Sequence, residues 1–123
     1  PEPIHAGGLR YHGMAPLVSH VYQLGLVEAI AIPQTECFQG ALQFARSEGI
    51  VPAPEPTHAI AAAIREALAC RESGEGKTIL TALCGHGHLD LASYDKFLNG
   101  DMQDLDLSED AIAQAMLGVP EIG

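Results

Sequence analysis

Apolar and polar positions along the chain change period several times, from the recurrence of an amphipathic helix to the short continuous runs of a buried strand. Residues 16–24 open with Pro16, suited to a first helical turn, set Leu17, Val21 and Leu24 on one face and stop at Gly25, which predicts a short helix. Residues 27–32 are a compact apolar run carrying one charge, Glu28, and ended by Pro33, the pattern of a strand covered on both faces. Residues 35–48 bring Cys37, Phe38, Ala41, Leu42 and Ala45 to one helical face, with Gly49 placed for a left-handed cap. Three prolines in residues 50–56 demand a stiff, extended loop, and Pro56 is fitted to start the next helix.

That helix, residues 57–71, stacks Ala59, Ile60, Ala63, Ile64, Ala67 and Leu68 before a Glu- and Gly-rich break. Residues 77–84 are rich in β-branched and apolar side chains and read as a central strand, ending abruptly in Gly85-His86-Gly87-His88. A helix over residues 91–98 stops at Asn99-Gly100; after an acidic linker, Ser108 caps a last, peripheral helix closed by Gly118 and Pro120. Strands separated by helical crossovers predict an α/β fold, part of a parallel sheet.

Composition narrows the function. The chain has 123 residues, is 47% hydrophobic, and carries 16 acidic against 6 basic side chains for a net charge of -10, which describes at most one globular domain. So acidic a chain offers no cationic patch for nucleic acid or anionic headgroups, and its apolar runs fall far below the ~20 residues of a membrane helix. Cys37, Cys70 and Cys84 are odd in number and widely spaced, which fits a reducing, cytoplasmic setting. The chain opens on Pro1 with no initiator Met, and the expectation is a piece of a longer protein.

Candidate chemistry gathers at three places. Residues 84–90, Cys-Gly-His-Gly-His-Leu-Asp, leave the best strand at its carboxyl end, where open α/β sheets bind ligands. Glycines flanking His86 permit close backbone approach, and Cys84 offers a thiol. The alternatives here are a tight turn with a buried cysteine, a metal site from His86, His88 and Asp90, or a Cys84 nucleophile helped by His86. Residues 7–13 pack glycines around Arg10, Tyr11 and His12, either lining a pocket or forming an irregular connection with Arg10 in a surface ion pair. Glu55, its backbone fixed by prolines, is a held carboxylate suited to a catalytic site, or equally an acid at a helix N-terminus. No glycine-rich nucleotide-phosphate motif of the GxxxxGK or GxGxxG type occurs.

Taken in order, Gly8-Leu9-Arg10-Tyr11-His12-Gly13, residues 44–55 (Phe-Ala-Arg-Ser-Glu-Gly-Ile-Val-Pro-Ala-Pro-Glu) and Gly85-His86-Gly87-His88-Leu89-Asp90 resemble the C-terminal part of the tryptophan synthase beta chain. The likeness runs from Gly8 to Leu98, and its Leu-Arg-Tyr-His-Gly and Gly-His-Gly-His pieces resemble the second, less common subtype. It implies a pyridoxal-phosphate enzyme of fold type II that replaces the hydroxyl of L-serine with indole to give L-tryptophan, a carbon-oxygen lyase. It further implies a cytoplasmic setting and, as partners, the rest of the beta chain, a second copy in a homodimer and a tryptophan synthase alpha chain.

Carried over residue by residue, the resemblance sets Cys84 where the family usually has a serine facing the cofactor's pyridine nitrogen, a departure that alters the tuning of the ring. It sets Gly85 and His86 at the ring's border and Glu55 on a glutamate beside it. Arg10 falls where the commoner subtype has an acid near the substrate, with His12 on the same side, and carbonyls of Leu9, Tyr11 and Gly13 resemble a monovalent-cation site. The family's Schiff-base lysine motif, Ser-His-Lys, and its phosphate loop, Gly-Gly-Gly-Ser-Asn, do not occur, and Lys77 and Lys96 match neither. The expectation is therefore catalytic-domain sequence over 1–100, with an acidic linker and peripheral helix over 101–123, inactive alone and active within its parent chain. A stand-alone, non-catalytic relic or interaction domain of the same fold is the alternative, and a small metal-binding protein using His86, His88 and Asp90 a further one.

Overall fold

In a computed structural model residues 4–10, 13–105 and 108–119 are described; Tyr11 and His12 lie outside them. A short 3-10 turn, Gly7–Leu9, precedes five helices: α1 (Pro16–Gln23), α2 (Gln34–Glu48), α3 (Pro56–Ser73), α4 (Leu91–Leu98) and α5 (Glu109–Met116). Each forms where periodicity and terminal residues place it. Pro16 and Pro56 sit in first turns, where a missing N–H costs nothing, and Ser108 Oγ accepts from the Ala111 N–H at 3.2 Å. Gly49 ends α2 at φ 72°, a left-handed conformation that a side chain resists, and its N–H bonds to the Ala45 carbonyl.

α2 packs along α3 and touches α4. The contact between α2 and α3 is close because Gly40 faces α3: a Cβ there would lie 3.3 Å from Ile64 Cδ1 and 3.7 Å from the Ala61 backbone. Phe38 and Ala41 of α2, Tyr94 of α4 and Met102 form the core, and Leu42, Val51 and Phe97 pack against it. Phe38 meets Tyr94 edge-on with centroids 5.0 Å apart and stacks on Phe97 at 5.8 Å, geometries that aromatic quadrupoles favour. Buried beside them, the Cys37 thiol is pushed up to about 11 by desolvation, opposed by a hydrogen bond with Thr57.

The acidic stretch after α4 returns to this core. Asp104 accepts from both the backbone N–H, at 2.9 Å, and the hydroxyl of Thr35, and Gln34 donates to the Gln103 carbonyl, so the first turn of α2 holds residues 101–105. An exposed ion pair, Arg65 to Glu36 at 2.5 Å, links α3 to α2.

The two expected strands take no such form. Residues 27–32 and 77–84 run without ladder partners, and the sole pairing among the described residues is an antiparallel bridge between Pro52 and His86. The reason lies in cover: Leu80 is 98% exposed and Ile30 63%, side chains of a buried-strand pattern with no strand alongside among the described residues. Thus the helices match their sequence signals, and the parallel sheet is not seen among the described residues. α1 and α5 likewise bury no residue. A groove of about 290 Å³ opens between α2, α3 and the 77–84 run, lined by Phe44, Ile60, Ile64, Ala67, Ile79 and Thr81.

Candidate functional site

Two loops meet at the end of the helical layer, the prolyl loop before α3 and the Gly-His-Gly-His loop before α4. Pro52 and Pro54 have no N–H to give, so the prolyl loop donates at Ala53, to the Gly85 carbonyl at 3.0 Å, and its Val51 carbonyl accepts from the Gly87 N–H at 2.7 Å. Its proline carbonyls are satisfied by helical side chains: Tyr94 donates its hydroxyl to Pro52 at 2.5 Å, and Thr57 to Pro54 at 2.5 Å. His58 Nδ1 sits 3.2 Å from the carbonyls of both Pro54 and Glu55, which makes that nitrogen the protonated one. Among the described residues no buried side-chain N or O lacks a partner, and these bonds from α3 and α4 stiffen the platform. Desolvation by burial, followed by the Asp90 charge, pushes the Tyr94 phenol up to about 12, so it remains a donor to Pro52.

Glycine is required where the loops touch. A Cβ on Gly87 would overlap the Pro52 carbonyl and lie 3.0 Å from Val51 Cγ1, and one on Gly85 would lie 3.0 Å from Ala53 Cβ. Sequence reasoning assigned these glycines to the approach of a ligand, whereas the contact they make here is with the neighbouring loop. The bridge runs Val51 with Gly87, Pro52 with His86 and Ala53 with Gly85, so the same register leads Cys84 toward Pro54, one residue before Glu55.

Glu55 stands at the N-terminus of α3 yet makes no cap bond. Its Oε1 instead accepts from the Gly8 N–H at 2.7 Å, drawing the Gly7–Leu9 turn onto the prolyl platform. Arg10 follows that turn, exposed, its own N–H donating to the Gly7 carbonyl at 3.3 Å. Cys84 is exposed, a surface thiol where a buried one was the plainer alternative. His86 and His88 tilt against each other with centroids 4.7 Å apart, the His86 Nδ1 accepting from the His88 N–H at 3.4 Å. No group of three His, Cys, Asp or Glu among the described residues is placed to hold a metal, so His86, His88 and Asp90 do not converge.

The structure thus joins Glu55, the Gly8 turn and the Gly85–His86 loop into one region and leaves Arg10 beside it. The expected monovalent-cation carbonyls divide, Leu9 and Gly13 being described and Tyr11 outside. Sequence reasoning missed Tyr94, Thr57 and His58, which lock the platform; each lies on a helix whose pattern registered only apolar positions. It also missed a cavity of about 280 Å³ lined by Ile4, Ile32, Phe38, Pro54, His58 and Asp104, which contains none of the expected site residues.

Comparison with protein-family models finds no match. Individual proteins do match, and they define a class: they are tryptophan synthase beta chains, and at 52–62% identity over some 85% of its length this chain is homologous to a segment of them. The particular likeness is to beta chain 2. The chain is 62% identical over 104 residues, 85% of its length, to tryptophan synthase beta chain 2 of Aquifex aeolicus, and 58% identical over 102 residues, 83% of its length, to that of Methanosarcina acetivorans. A tryptophan synthase beta chain of Thermococcus onnurineus is 52% identical over 107 residues. The chain spans about a quarter, 24% and 23%, of the length of the first two relatives, in keeping with a C-terminal portion.

Proposed function

We propose that the chain is the C-terminal portion of a pyridoxal-phosphate-dependent tryptophan synthase beta chain, a lyase acting on L-serine and indole in the cytoplasm, and that it supplies the ring side of the active site. The observation that carries this reading is the bridge between the prolyl and Gly-His-Gly-His loops, which sets Pro52 against His86 and Ala53 against Gly85, in a register that continues toward Cys84 and Glu55. The side chains suit the aromatic ring of such a cofactor: an exposed thiol, a carboxylate and an imidazole on a platform stiffened by prolines and by bonds from α3 and α4. They do not suit the cofactor's aldehyde or phosphate. Lys77 is engaged with Glu66 at 3.5 Å and Lys96 lies in α4, so the attaching lysine and the phosphate-binding amides belong to another part of the parent chain.

When bound, the group supplies an electron sink for eliminating the serine hydroxyl and adding indole. The residues here would hold and orient: Cys84 would offer a weak hydrogen bond to the ring nitrogen, Gly85, His86 and Glu55 would line the ring, and Arg10 would lie on the amino-acid side, the side to which the resemblance also assigns His12, outside the described residues. Fold type II with its parallel sheet enters at this level too, residues 27–32 and 77–84 being strands that pair within the whole protein. In this reading residues 1–100 belong to the catalytic domain and 101–123 are its acidic linker and last helix, the linker beginning with residues 101–105 that pack back on the core. Among the described residues no helix is long and apolar enough to cross a membrane. A second copy and an alpha chain are the macromolecular partners of this reading. The stand-alone relic is less well supported, because Leu80 and Ile30 are left open to solvent.

The test is to read the coding sequence upstream of Pro1 and express the continuous frame. A frame encoding a lysine motif and a glycine-rich phosphate loop, whose product absorbs as cofactor-bound protein and makes tryptophan from serine and indole, is the expected result. A start codon directly before Pro1 overturns it.

A further inference from the structure

We infer that Glu55 is a positioning residue whose carboxylate clasps the Gly7–Leu9 turn and so holds the segment bearing Arg10 in register with the prolyl platform. Three features meet in this contact. The bond is short and charge-assisted, 2.7 Å from the Gly8 N–H to Oε1, and it spans 47 residues of sequence, so it is a tertiary fastening. Position 8 is tight on the Glu55 side: a Cβ there would sit 3.1 Å from Glu55 Cγ and 3.2 Å from Oε1, so an added methyl would press the carboxylate out of its present place.

The third feature is the stiffness of the Glu55 end. Pro54 and Pro56 flank the residue, the Pro54 carbonyl receives Thr57, and the Glu55 carbonyl lies against His58 Nδ1 at 3.2 Å. On the other side, the 3-10 turn is held by Leu9 N–H to the Ala6 carbonyl at 3.0 Å, and Ala6 is buried. The clasp therefore joins a rigid platform to a short turn whose exposed continuation carries Arg10. Breaking it releases the turn without disturbing the platform. With Oε1 of Glu55 committed to Gly8, part of its influence on the reaction runs through the placement of residues 8–10, beside whatever its other oxygen does at the ring.

Its consequence for substrate rests on the reading of the parent chain as a beta-replacement enzyme; the clasp itself does not. The experiment uses the full-length parent protein as wild type and as Glu55→Ala, Glu55→Gln and Gly8→Ala. Amide hydrogen exchange at Gly8 is measured in the cofactor-free protein, and kcat and KM for serine in the loaded one. Glu55→Ala should speed Gly8 exchange about 10- to 100-fold, the range that loss of a charge-assisted bond implies. Gly8→Ala should act in the same direction, because its Cβ pushes the carboxylate away, and Glu55→Gln should keep most of the protection through its amide oxygen. KM for serine should rise with the exchange rate while kcat changes less. Unchanged Gly8 exchange in Glu55→Ala, with kcat and cofactor absorbance lost, would overturn the clasp and leave Glu55 acting at the ring alone. A wild-type protein that binds no cofactor yet shows the exchange pattern would sink the functional reading and keep the clasp. Should Glu55→Ala fail to fold, Gly8→Ala and Glu55→Gln still decide, since only the former should loosen the turn.

Discussion

Phe38 and Leu80 are both large apolar side chains in strongly patterned segments, yet one is 1% exposed and the other 98%. Phe38 belongs to a region that closes on itself, where α2, α3, α4 and the returning 101–105 segment cover one another. Leu80 belongs to a region whose pattern asks for cover on both faces and, among the described residues, meets only α2 and α3 across a groove on one side, Leu80 itself left open. A helix satisfies its backbone from within and needs one covered stripe; a strand needs partners at both edges as well as cover. That difference is why the five predicted helices became regular elements and the two predicted strands did not.

The two regions carry their own reporters, Cys37 and Cys84. The largest contrast expected is in thiol alkylation of the native chain at about pH 8: with the Cys37 thiol at about 11, roughly one molecule in a thousand is thiolate there, and burial slows it further. Cys84, exposed, should label at once and Cys37 only on unfolding, as mass spectrometry of labelled peptides would read. Equal labelling would erase the distinction between the regions. Next, Phe38→Ala should lower stability in urea unfolding by about 3–5 kcal/mol, the cost of a cavity in a closed core. Tyr94→Phe should cost about 1–3 kcal/mol by leaving the Pro52 carbonyl unpaired, and it should loosen the prolyl loop toward proteolysis.

A pH effect sharpens the same comparison from the packed side. Desolvation by burial, with a smaller contribution from Lys96, holds His5 below its ordinary value of 6.5 while Nδ1 meets Ser93 Oγ at 3.0 Å. The folded state thus disfavours the imidazolium, so the contribution of His5 is whole above pH 6.5 and declines as pH falls below it, and His5→Gln should flatten urea midpoints between pH 7 and about pH 5. The smallest effect belongs to the open region: Leu80→Ala in the chain by itself should shift stability by no more than about 0.5 kcal/mol. In the full-length parent, if residues 77–84 gain strands on either side, the same change should cost about 2–5 kcal/mol.

Legibility followed the same line. The helices over 16–24, 35–48, 57–71 and 91–98 could be read to within a few residues because Pro16, Gly49, Pro56 and Gly100 mark their ends by local stereochemistry. The strands were legible as pattern and not as structure, since pairing is a property of neighbours that the pattern alone cannot supply. In the candidate site, Glu55 could be singled out from its prolines, and its tie to Gly8, 47 positions away, could not. Neither could the roles of Tyr94 and Thr57, whose hydroxyls bond proline carbonyls that only the folded chain brings within reach. The glycines at 85 and 87 were visible as a signal of close approach, and the neighbouring loop that approaches them was not.

The attachment of Asp104 to the start of α2 also sets an order of events during synthesis. Its contacts with Thr35 bridge 69 positions, so they close a long loop and wait until the acidic segment has left the ribosome, whereas α2 and α3 are separated by only a short loop and can meet as soon as both emerge. The α2–α3 pair is then a nascent scaffold, and the Asp104 latch a late checkpoint that a stalled or shortened chain never passes.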